Sequence, residues 1–258
     1  MIPVSGATWR SLRPYWHVDA KWVAGLLLLC VLGTGLLLAS LWWVTAERPA
    51  VDTVSTFLAL SFSPKGLDDE TEIAQLRQTL RASPTGVVQP VEGLRVTVRE
   101  EDIVGRSPRE VRLYLFGQLA GPFYREGLDG LTAMADDPEV QRRIEQGVGP
   151  LVLFTAAAHR TLQRALILVG ICTGVLLVPL IAFSYRFGRV GSPGVVLFAA
   201  SLPGTVLSSL VRLWLRRAVV AVPPTEEAGL AEVARYFATN ALLPLVQPIS
   251  RIYLLALV

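Results

Sequence analysis

The sequence predicts a helical membrane protein, with three or four transmembrane segments and a small α+β extracytoplasmic domain between the first and second spans. Hydrophobic residues make up 52% of the 258-residue chain, which is too apolar for an ordinary soluble domain. Uncharged runs of membrane-spanning length lie near the N-terminus and again in the C-terminal third. The charged residues concentrate between these runs, which places a water-facing domain there.

The N-terminal part predicts one membrane anchor. Residues 1–21 mix tryptophan and tyrosine with arginine and lysine, which is typical of a cytoplasmic or interfacial segment. Residues 22–45 carry no charge and are long enough to cross a hydrocarbon core of about 30 Å. A cleaved signal peptide would have a shorter apolar core, of roughly 7 to 15 residues. We therefore expect residues 22–45 to be an uncleaved signal anchor with the N-terminus in the cytoplasm.

Residues 46–160 are expected to form the extracytoplasmic domain. They hold 17 acidic and 13 basic residues, whereas the rest of the chain holds 4 acidic and 11 basic residues. The latter basic residues flank apolar segments, so they indicate membrane orientation and not a nucleic-acid surface. Two alternating runs predict strands in this domain: Val54, Thr56, Leu58, Leu60 and Phe62, and then Leu94, Val96 and Val98.

Helix starts in the domain carry local signals. Asp68 or Asp69 is expected to cap a helix, and Ile73, Leu76 and Leu80 would then share one face of it. In the sequence SPRE, Ser107 suits the N-cap, Pro108 the first helical position, and Glu110 can bond back to the Ser107 amide.

The second of these helices has an expected buried face and an expected end. Val111, Leu115 and Leu119 are spaced to form the buried face, and Gly121-Pro122 should end or kink the helix. A further helix start is expected at Asp137-Pro138, leading through Val140 and Ile144 toward the membrane.

The C-terminal membrane region, residues 161–258, is expected to span at about 165–185, 190–211 and 236–258. The second of these segments contains Pro193-Gly194 and Pro203-Gly204, so a broken or re-entrant segment is an alternative to a straight span. The third contains Arg251, followed by seven apolar residues, and Gln247 one turn earlier. A membrane arginine is normally paired or covered by protein. We therefore expect Gln247 and Arg251 to face another helix, of this chain or of a partner subunit, with a partner subunit or a backbone carbonyl as the acceptor. The alternative is that Arg251 snorkels to the interface.

The side chains that commonly carry chemistry are sparse. His17 and His159 would lie on opposite sides of the membrane, and Cys30 and Cys172 lie inside hydrophobic runs, so no haem, zinc or disulfide site is predicted. Ser192 has no histidine or lysine in the C-terminal membrane segments to activate it, and VGSPG suggests a turn. The two acidic clusters, Asp68 to Glu72 and Glu100 to Asp102, lack the spacing of a calcium loop and suggest a helix start and a solvated turn.

We expect a non-catalytic accessory or assembly subunit of a larger membrane complex, with no enzyme activity, cofactor, metal or small-molecule substrate. Its partners would be the lipid bilayer and other membrane subunits, without nucleic acid. Lysine occurs only twice among the 24 basic residues, which suggests a GC-rich prokaryote and hence a multi-pass protein of its plasma (inner) membrane.

Two alternative functions remain open. The order of parts, without any matching motif, resembles the permease subunits of cell-division ABC transporters, so a permease-like transmitter that couples a cytoplasmic ATPase to an outer partner is one. A ligand sensor is the other. A sensor should show a concave pocket in the outer domain, whereas an accessory subunit should show apolar patches.

Overall fold

The computed structural model describes residues 16–63, 67–90, 93–135, 138–139, 141–142, 149–184, 188–221 and 237–257, and these residues are mostly helical. The helices are α1 (Trp16–Val44), α2 (Glu47–Ser61), α3 (Glu70–Ala82), α4 (Glu100–Ile103), α5 (Pro108–Glu126), α6 (Leu128–Thr132), α7 (Ala156–Ala182), α8 (Gly188–Ala221) and α9 (Leu243–Leu257). A 3-10 helix, Gly149–Phe154, precedes α7, and a π-helical turn, Ala238–Leu242, precedes α9.

Three helices, α1, α7 and α8, are long and apolar enough to cross a membrane, which indicates a multi-pass membrane protein. Helices α1 and α7 pack side by side and antiparallel. At one end, Thr45 Oγ1 lies 3.2 Å from His159 Nδ1. Toward the other end, a Cβ at Gly25 would lie 3.8 Å from Leu180. We call the end at Val44 and Ala156 the domain end of the bundle, because the domain between these two helices leaves and re-enters there.

The segment at 190–211 is part of one continuous helix, α8, so the broken or re-entrant alternative is not observed. Pro193 and Pro203 lie inside this helix. In lipid, a break would expose unpaired backbone groups to hydrocarbon, which favours keeping the helix despite the prolines. Ser192 is therefore helical and does not lie in a turn, as the sequence suggested. Its Oγ accepts a hydrogen bond from Ser184 Oγ at 3.4 Å.

The expected segment at 236–258 is also helical, but α9 is shorter than the three candidate spans. Helix α9 packs against α8, with the ring of Tyr253 seated over Gly204 where any side chain would clash. Tyr253 also hydrogen-bonds with Ser40, one turn from the end of α1. Tyr253 thus lies toward the domain end of the bundle.

The strand predicted at Val54 to Phe62 is wrong, because this segment is helix α2, which ends at Ser61 with Phe62 as its C-cap. Helix α2 packs against α5 on one side, and on others it meets the 3-10 helix and the turn before α9. Because several sides are covered, the buried residues include both apolar positions and Thr53, Ser55 and Thr56. The alternation of apolar and polar residues in this segment therefore does not correspond to one buried and one exposed face.

The second alternating run has the predicted pattern of burial. Leu94, Val96 and Val98 are buried, and the residues between them are exposed. The sheet itself is small: β1 (Val87–Val88) pairs antiparallel with β2 (Val98–Arg99), and Leu94 forms an isolated bridge with Ala135. The β part of the predicted α+β domain is thus reduced to two short strands.

Both helix starts that carried local signals are confirmed. Asp69 caps α3 by accepting a hydrogen bond from the Thr71 amide at 3.1 Å. Ile73 and Leu80 are buried on the face of α3, and Leu76 packs against the core. Ser107 caps α5, with the Glu110 amide donating to Ser107 Oγ at 3.3 Å and the Ser107 amide donating to Glu110 Oε2 at 2.9 Å.

Helix α5 does not end at Gly121-Pro122, as the sequence suggested, but continues to Glu126 and ends at Gly127, whose φ is 71°. Phe123 and Tyr124, which follow Pro122, are buried, so packing of this last turn outweighs the lost hydrogen bond of the proline. The buried face at Val111, Leu115 and Leu119 is confirmed. The expected start at Asp137-Pro138 lies mostly outside the described residues, as do Val140 and Ile144.

The core of the inserted domain also receives Phe237, a residue outside the predicted range 46–160. Helices α2, α3 and α5 supply most of its buried residues, and Leu151 and Phe154 of the 3-10 helix join them. Phe237 packs against the same core and meets the ring of Phe57 edge to face, with ring centroids 6.0 Å apart. Residues that closely precede α7 and α9 therefore complete the core of the inserted domain.

Candidate functional site

The predicted partner-binding residues lie together on α9. Gln247 and Arg251 are both exposed and are one helical turn apart, whereas Ser250 and Tyr253 of the same helix are buried. Within the described part of this chain, no neighbouring helix therefore covers the face of α9 that carries Gln247 and Arg251. Their contact with a partner subunit stays a prediction.

The depth of Arg251 follows from its neighbour Tyr253. Tyr253 hydrogen-bonds with Ser40, and Arg251 is two residues closer to the start of α9, about 3 Å along the axis. This places Arg251 near the level of Trp42 on α1. Tryptophan is enriched at membrane interfaces, and a guanidinium at that level would avoid most of the cost of burial in hydrocarbon.

A groove with an aromatic floor opens at the far end of α2. Its volume is about 460 Å³, and the rings of Phe62 and Phe116 stack in it with centroids 5.5 Å apart and planes 18° from parallel. Phe116 is buried, whereas Phe62 is 56% exposed. The remaining lining comes mainly from α3, β1 and α5: Ser63, Glu72, Ile73, Gln75, Leu76, Thr79, Val88, Gln89, Pro90, Arg112 and Leu115.

A buried arginine fixes the position of α3 against α5 beneath this groove. Arg112 is only 3% exposed, and its guanidinium donates to the Leu67 carbonyl and, at 3.3 Å, to Glu72 Oε2. Glu72 belongs to the acidic cluster expected at a helix start, and that cluster does open α3. A guanidinium buried with two acceptors holds the groove walls in one arrangement, because moving either wall would leave a buried charge unpaired.

A second cleft, of about 680 Å³, lies between α3, α4 and the start of α5. Arg77 donates to the Arg106 carbonyl at 2.8 Å, and the Arg106 guanidinium lies 4.5 Å from the centre of the Tyr114 ring. Arg81 pairs with Glu100 at 3.8 Å. Burial, together with a hydrogen bond to Asp102, raises the pKa of Tyr114. Arg77, Arg81 and Arg106 thus share a cleft that also contains Glu70 and Glu100.

This cleft lies far from the membrane bundle. Tyr124, near the end of α5, has Glu47 and Arg160 as its electrostatic neighbours, and both residues adjoin the domain end of the bundle. Burial and the charge of Glu47 raise the pKa of Tyr124. The start of α5 at Pro108 is sixteen residues away, about 24 Å along the helix axis.

The other chemistry-bearing residues fall into small structural contacts. His159 stacks on Trp42 with ring centroids 5.3 Å apart, in addition to its contact with Thr45. Cys30 and Cys172 are free and exposed. The acidic cluster at Glu100 to Asp102 forms the short helix α4 and not the expected turn. Among the described residues no group of three or more histidine, cysteine, aspartate or glutamate side chains is placed to hold a metal ion.

Sequence patterns missed both clefts. Phe62 was assigned to a strand, and Arg112 and Phe116 carried no prediction, although the four-residue spacing of Arg112, Phe116 and Ala120 marks one stripe of α5. The contacts that build the clefts join residues far apart in the chain, such as Arg112 and Leu67. No family model, curated protein or solved structure matches this chain.

Proposed function

We propose that this chain is a non-catalytic accessory or assembly subunit of a larger membrane protein complex in the plasma membrane of a prokaryote. The observation that carries the proposal is the groove at Phe62 and Phe116, whose aromatic floor the described part of the chain leaves open. Stacked aromatic side chains with one exposed ring are typical anchors of protein interfaces.

The groove has the composition of an interface. Phe116, Leu115 and Ile73 form an apolar base, and the Arg112 pairing holds it in place. Polar side chains surround that base: Ser63, Gln75, Thr79 and Gln89. An apolar centre with a polar rim favours binding of a protein segment that inserts an aliphatic or aromatic side chain beside Phe62.

The proposed orientation has the N-terminus in the cytoplasm and the inserted domain outside. Basic residues adjoin the start of α1 and the connection between α7 and α8, including Lys21, Arg186 and Arg189. The domain sequence at residues 46–160 is net acidic. By the positive-inside rule, these basic residues support a cytoplasmic N-terminus, whereas Arg212, Arg216 and Arg217 at the far end of α8 count in the opposite direction.

A second contact with the complex is proposed at Gln247 and Arg251 of α9. Both side chains are exposed, and a carboxylate of a partner subunit would form a charge-assisted hydrogen bond with the guanidinium. This contact and the groove lie on different parts of the molecule, so they can be tested separately.

The groove is tested by the substitution Phe62→Ser in the full-length protein, purified in mild detergent from membranes of the source organism. We expect recovery of specific co-purifying subunits, measured by quantitative mass spectrometry, to fall strongly. Val104→Ser is the matched control, because Val104 is 68% exposed and lies at the other cleft. Equal recovery from Phe62→Ser and the unmodified protein would contradict the proposal.

The α9 contact is tested by Arg251→Leu, with Arg217→Leu as a control at an exposed arginine of α8. Arg251→Leu should insert normally and weaken the same co-purification. If Arg251 snorkels to the lipid headgroups without a partner, recovery will be unchanged.

A ligand sensor is the second candidate, and the larger cleft favours it specifically. A cleft of about 680 Å³ falls in the size range of small-molecule sites, and three arginines line it. An anionic ligand would suit them. Thermal shift of the detergent-solubilised protein with inorganic phosphate and with dicarboxylates, compared with Arg77→Gln, tests this function. A shift that Arg77→Gln removes would support a sensor, and no shift with either probe would count against it.

A further inference from the structure

The 3-10 helix Gly149–Phe154 divides its side chains between two environments. Leu151 is buried and Phe154 packs against the domain core. Between them, Val152 is 45% exposed and Leu153 is 69% exposed. Thr155, which caps α7, is buried again. The two aliphatic side chains therefore project from an element that Leu151 and Phe154 hold against the protein.

The position of these two side chains relative to the bilayer follows from α7. His159 stacks on Trp42, and tryptophans near the ends of spans mark the membrane interface. Thr155, the N-cap of α7, precedes His159 by four residues, about 6 Å along the helix axis toward the domain, and Leu153 lies two residues before this cap. The polar layer on each side of a bilayer is about 5 to 8 Å thick. The N-cap of α7 thus falls within the thickness of this polar layer, and Leu153 adjoins it.

The surroundings of this pair also suit a lipid surface. The first three turns of α7 carry Arg160 and Arg164, both exposed, and arginine near a span binds lipid phosphate. Farther along α7 the exposed residues are aliphatic, among them Ile167, Leu168 and Ile171. The exposed pair is therefore continuous with a lipid-facing helix through a basic belt.

We propose that Val152 and Leu153 insert into the headgroup and acyl boundary of the bilayer and dock the inserted domain onto the membrane surface. The docked element does not span the membrane. Its apolar side chains penetrate the bilayer surface to the depth that is typical of interfacial elements, about 5 to 10 Å. Because Leu151 and Phe154 fix the same element to the domain core, this contact holds the domain at a set height and tilt.

The proposal is tested by spin labelling of the full-length protein in vesicles of phosphatidylcholine and phosphatidylglycerol. The background carries Cys30→Ala and Cys172→Ala, since both thiols are free. Single labels are placed by Leu153→Cys and, separately, by Val152→Cys. Leu41→Cys in α1 serves as the reference in the span, and Val104→Cys, an exposed aliphatic site remote from the bundle, serves as the reference in water.

The measured quantity is the ratio of collision rates with oxygen, which enters lipid, and with a water-soluble nickel chelate. We expect the Leu153 label to show a ratio several-fold above that of Val104 and closer to that of Leu41, with the Val152 label in between. Ratios at both sites equal to that of Val104 would overturn the proposal. Dipolar broadening between labels at Leu153 would also overturn it, because a second copy of the chain would then cover this surface.

Discussion

Helices α2 and α5 pack against each other in the inserted domain, yet different causes make them helical. Helix α5 has local signals at both ends: the capping box of Ser107 and Glu110 at its start and Gly127 with positive φ at its end. Helix α2 begins at Glu47, its N-cap residue Ala46 makes no side-chain cap, and the helix contains several β-branched residues. The comparison teaches that α5 is specified by its own sequence and α2 by the surfaces that surround it.

The buried hydroxyl groups of α2 find their hydrogen-bond acceptors within the helix itself. Thr53 donates to the Pro49 carbonyl at 2.7 Å, and Thr56 donates to the Asp52 carbonyl at 2.7 Å. These bonds return hydroxyl groups to the helix itself, so the side chains can be covered on several sides without unpaired donors. In a strand, the carbonyl group four residues earlier would lie too far from each hydroxyl group to accept its hydrogen bond.

The largest expected effect comes from truncating a buried side chain of α5 in the core that α5 shares with α2. Among the residues that the structure describes, Phe123 is the largest fully buried side chain, and Phe123→Ala should destabilise the domain by about 3 to 5 kcal/mol through lost burial and a cavity. If α2 depends on packing, its amides should lose protection from hydrogen exchange to a greater extent than those of the first turns of α5. Equal loss in both helices would break the comparison.

A smaller loss is expected from Phe237→Ala, which removes the residue outside the predicted domain boundary that packs on Phe57. The half-buried ring and its edge contact should account for about 1 to 2 kcal/mol. Hydrogen exchange should increase around Phe57 in α2 and stay unchanged around Ser107. An unchanged α2 would show that residues 46–160 complete their own core.

The sequence predicted well those features that depend on neighbouring residues. The spans at α1 and α7 were found because lipid requires a continuous apolar stretch, and Ser107 and Asp69 were found because a cap lies within a few residues of the amide that it binds. The segments at Val54 and at Pro203 were interpreted incorrectly or left open. Their helical form depends on packing partners that are distant in the chain.

The candidate site followed the same division. Gln247 and Arg251 were selected from a local pattern, a polar pair in an apolar segment, and the structure places them on one exposed face. The groove at Phe62 and Phe116 was missed, because it requires the end of α2 to meet the middle of α5. Periodicity along one segment contains no information on which segment will cover it.

The cap of α5 should matter to a measurable but modest degree. Ser107→Ala removes the acceptor of the Glu110 amide and should cost about 1 kcal/mol. Thermal unfolding of the full-length protein, followed by hydrogen exchange at the start of α5, provides the measurement. Ser107→Asp, which keeps an acceptor, is the control and should lose less.

The reciprocal change supplies a cap to α2. Ala46 has the extended backbone of an N-cap, with φ −60° and ψ 151°, but no side-chain acceptor. Ala46→Ser should therefore stabilise the domain by roughly 0.5 to 1 kcal/mol, and slow exchange in the first turn of α2. A loss of stability instead would mean that contacts of the partly buried Ala46 side chain outweigh the cap.

The smallest expected effect is a pH dependence confined to the capping box of α5. The Ser107 amide, which donates to Glu110, is the main cause that lowers the pKa of this carboxyl below its ordinary value of 4.5, and the Ser107 hydroxyl adds to it. A carboxyl whose pKa is lower in the folded protein stabilises the fold above the unfolded pKa, and that contribution is lost as pH falls through the folded pKa. We therefore expect the difference in stability between the unmodified protein and Glu110→Gln to be constant above about pH 5 and to shrink as pH falls below 4.5.

Unfolding of both proteins, measured side by side from neutral pH to pH 3, cancels the titration of other carboxyls, and the same series with Glu101→Gln, an exposed residue of α4, is the control. A difference that does not change with pH would show that Glu110 stabilises α5 through its length and hydrogen bond and not through its charge.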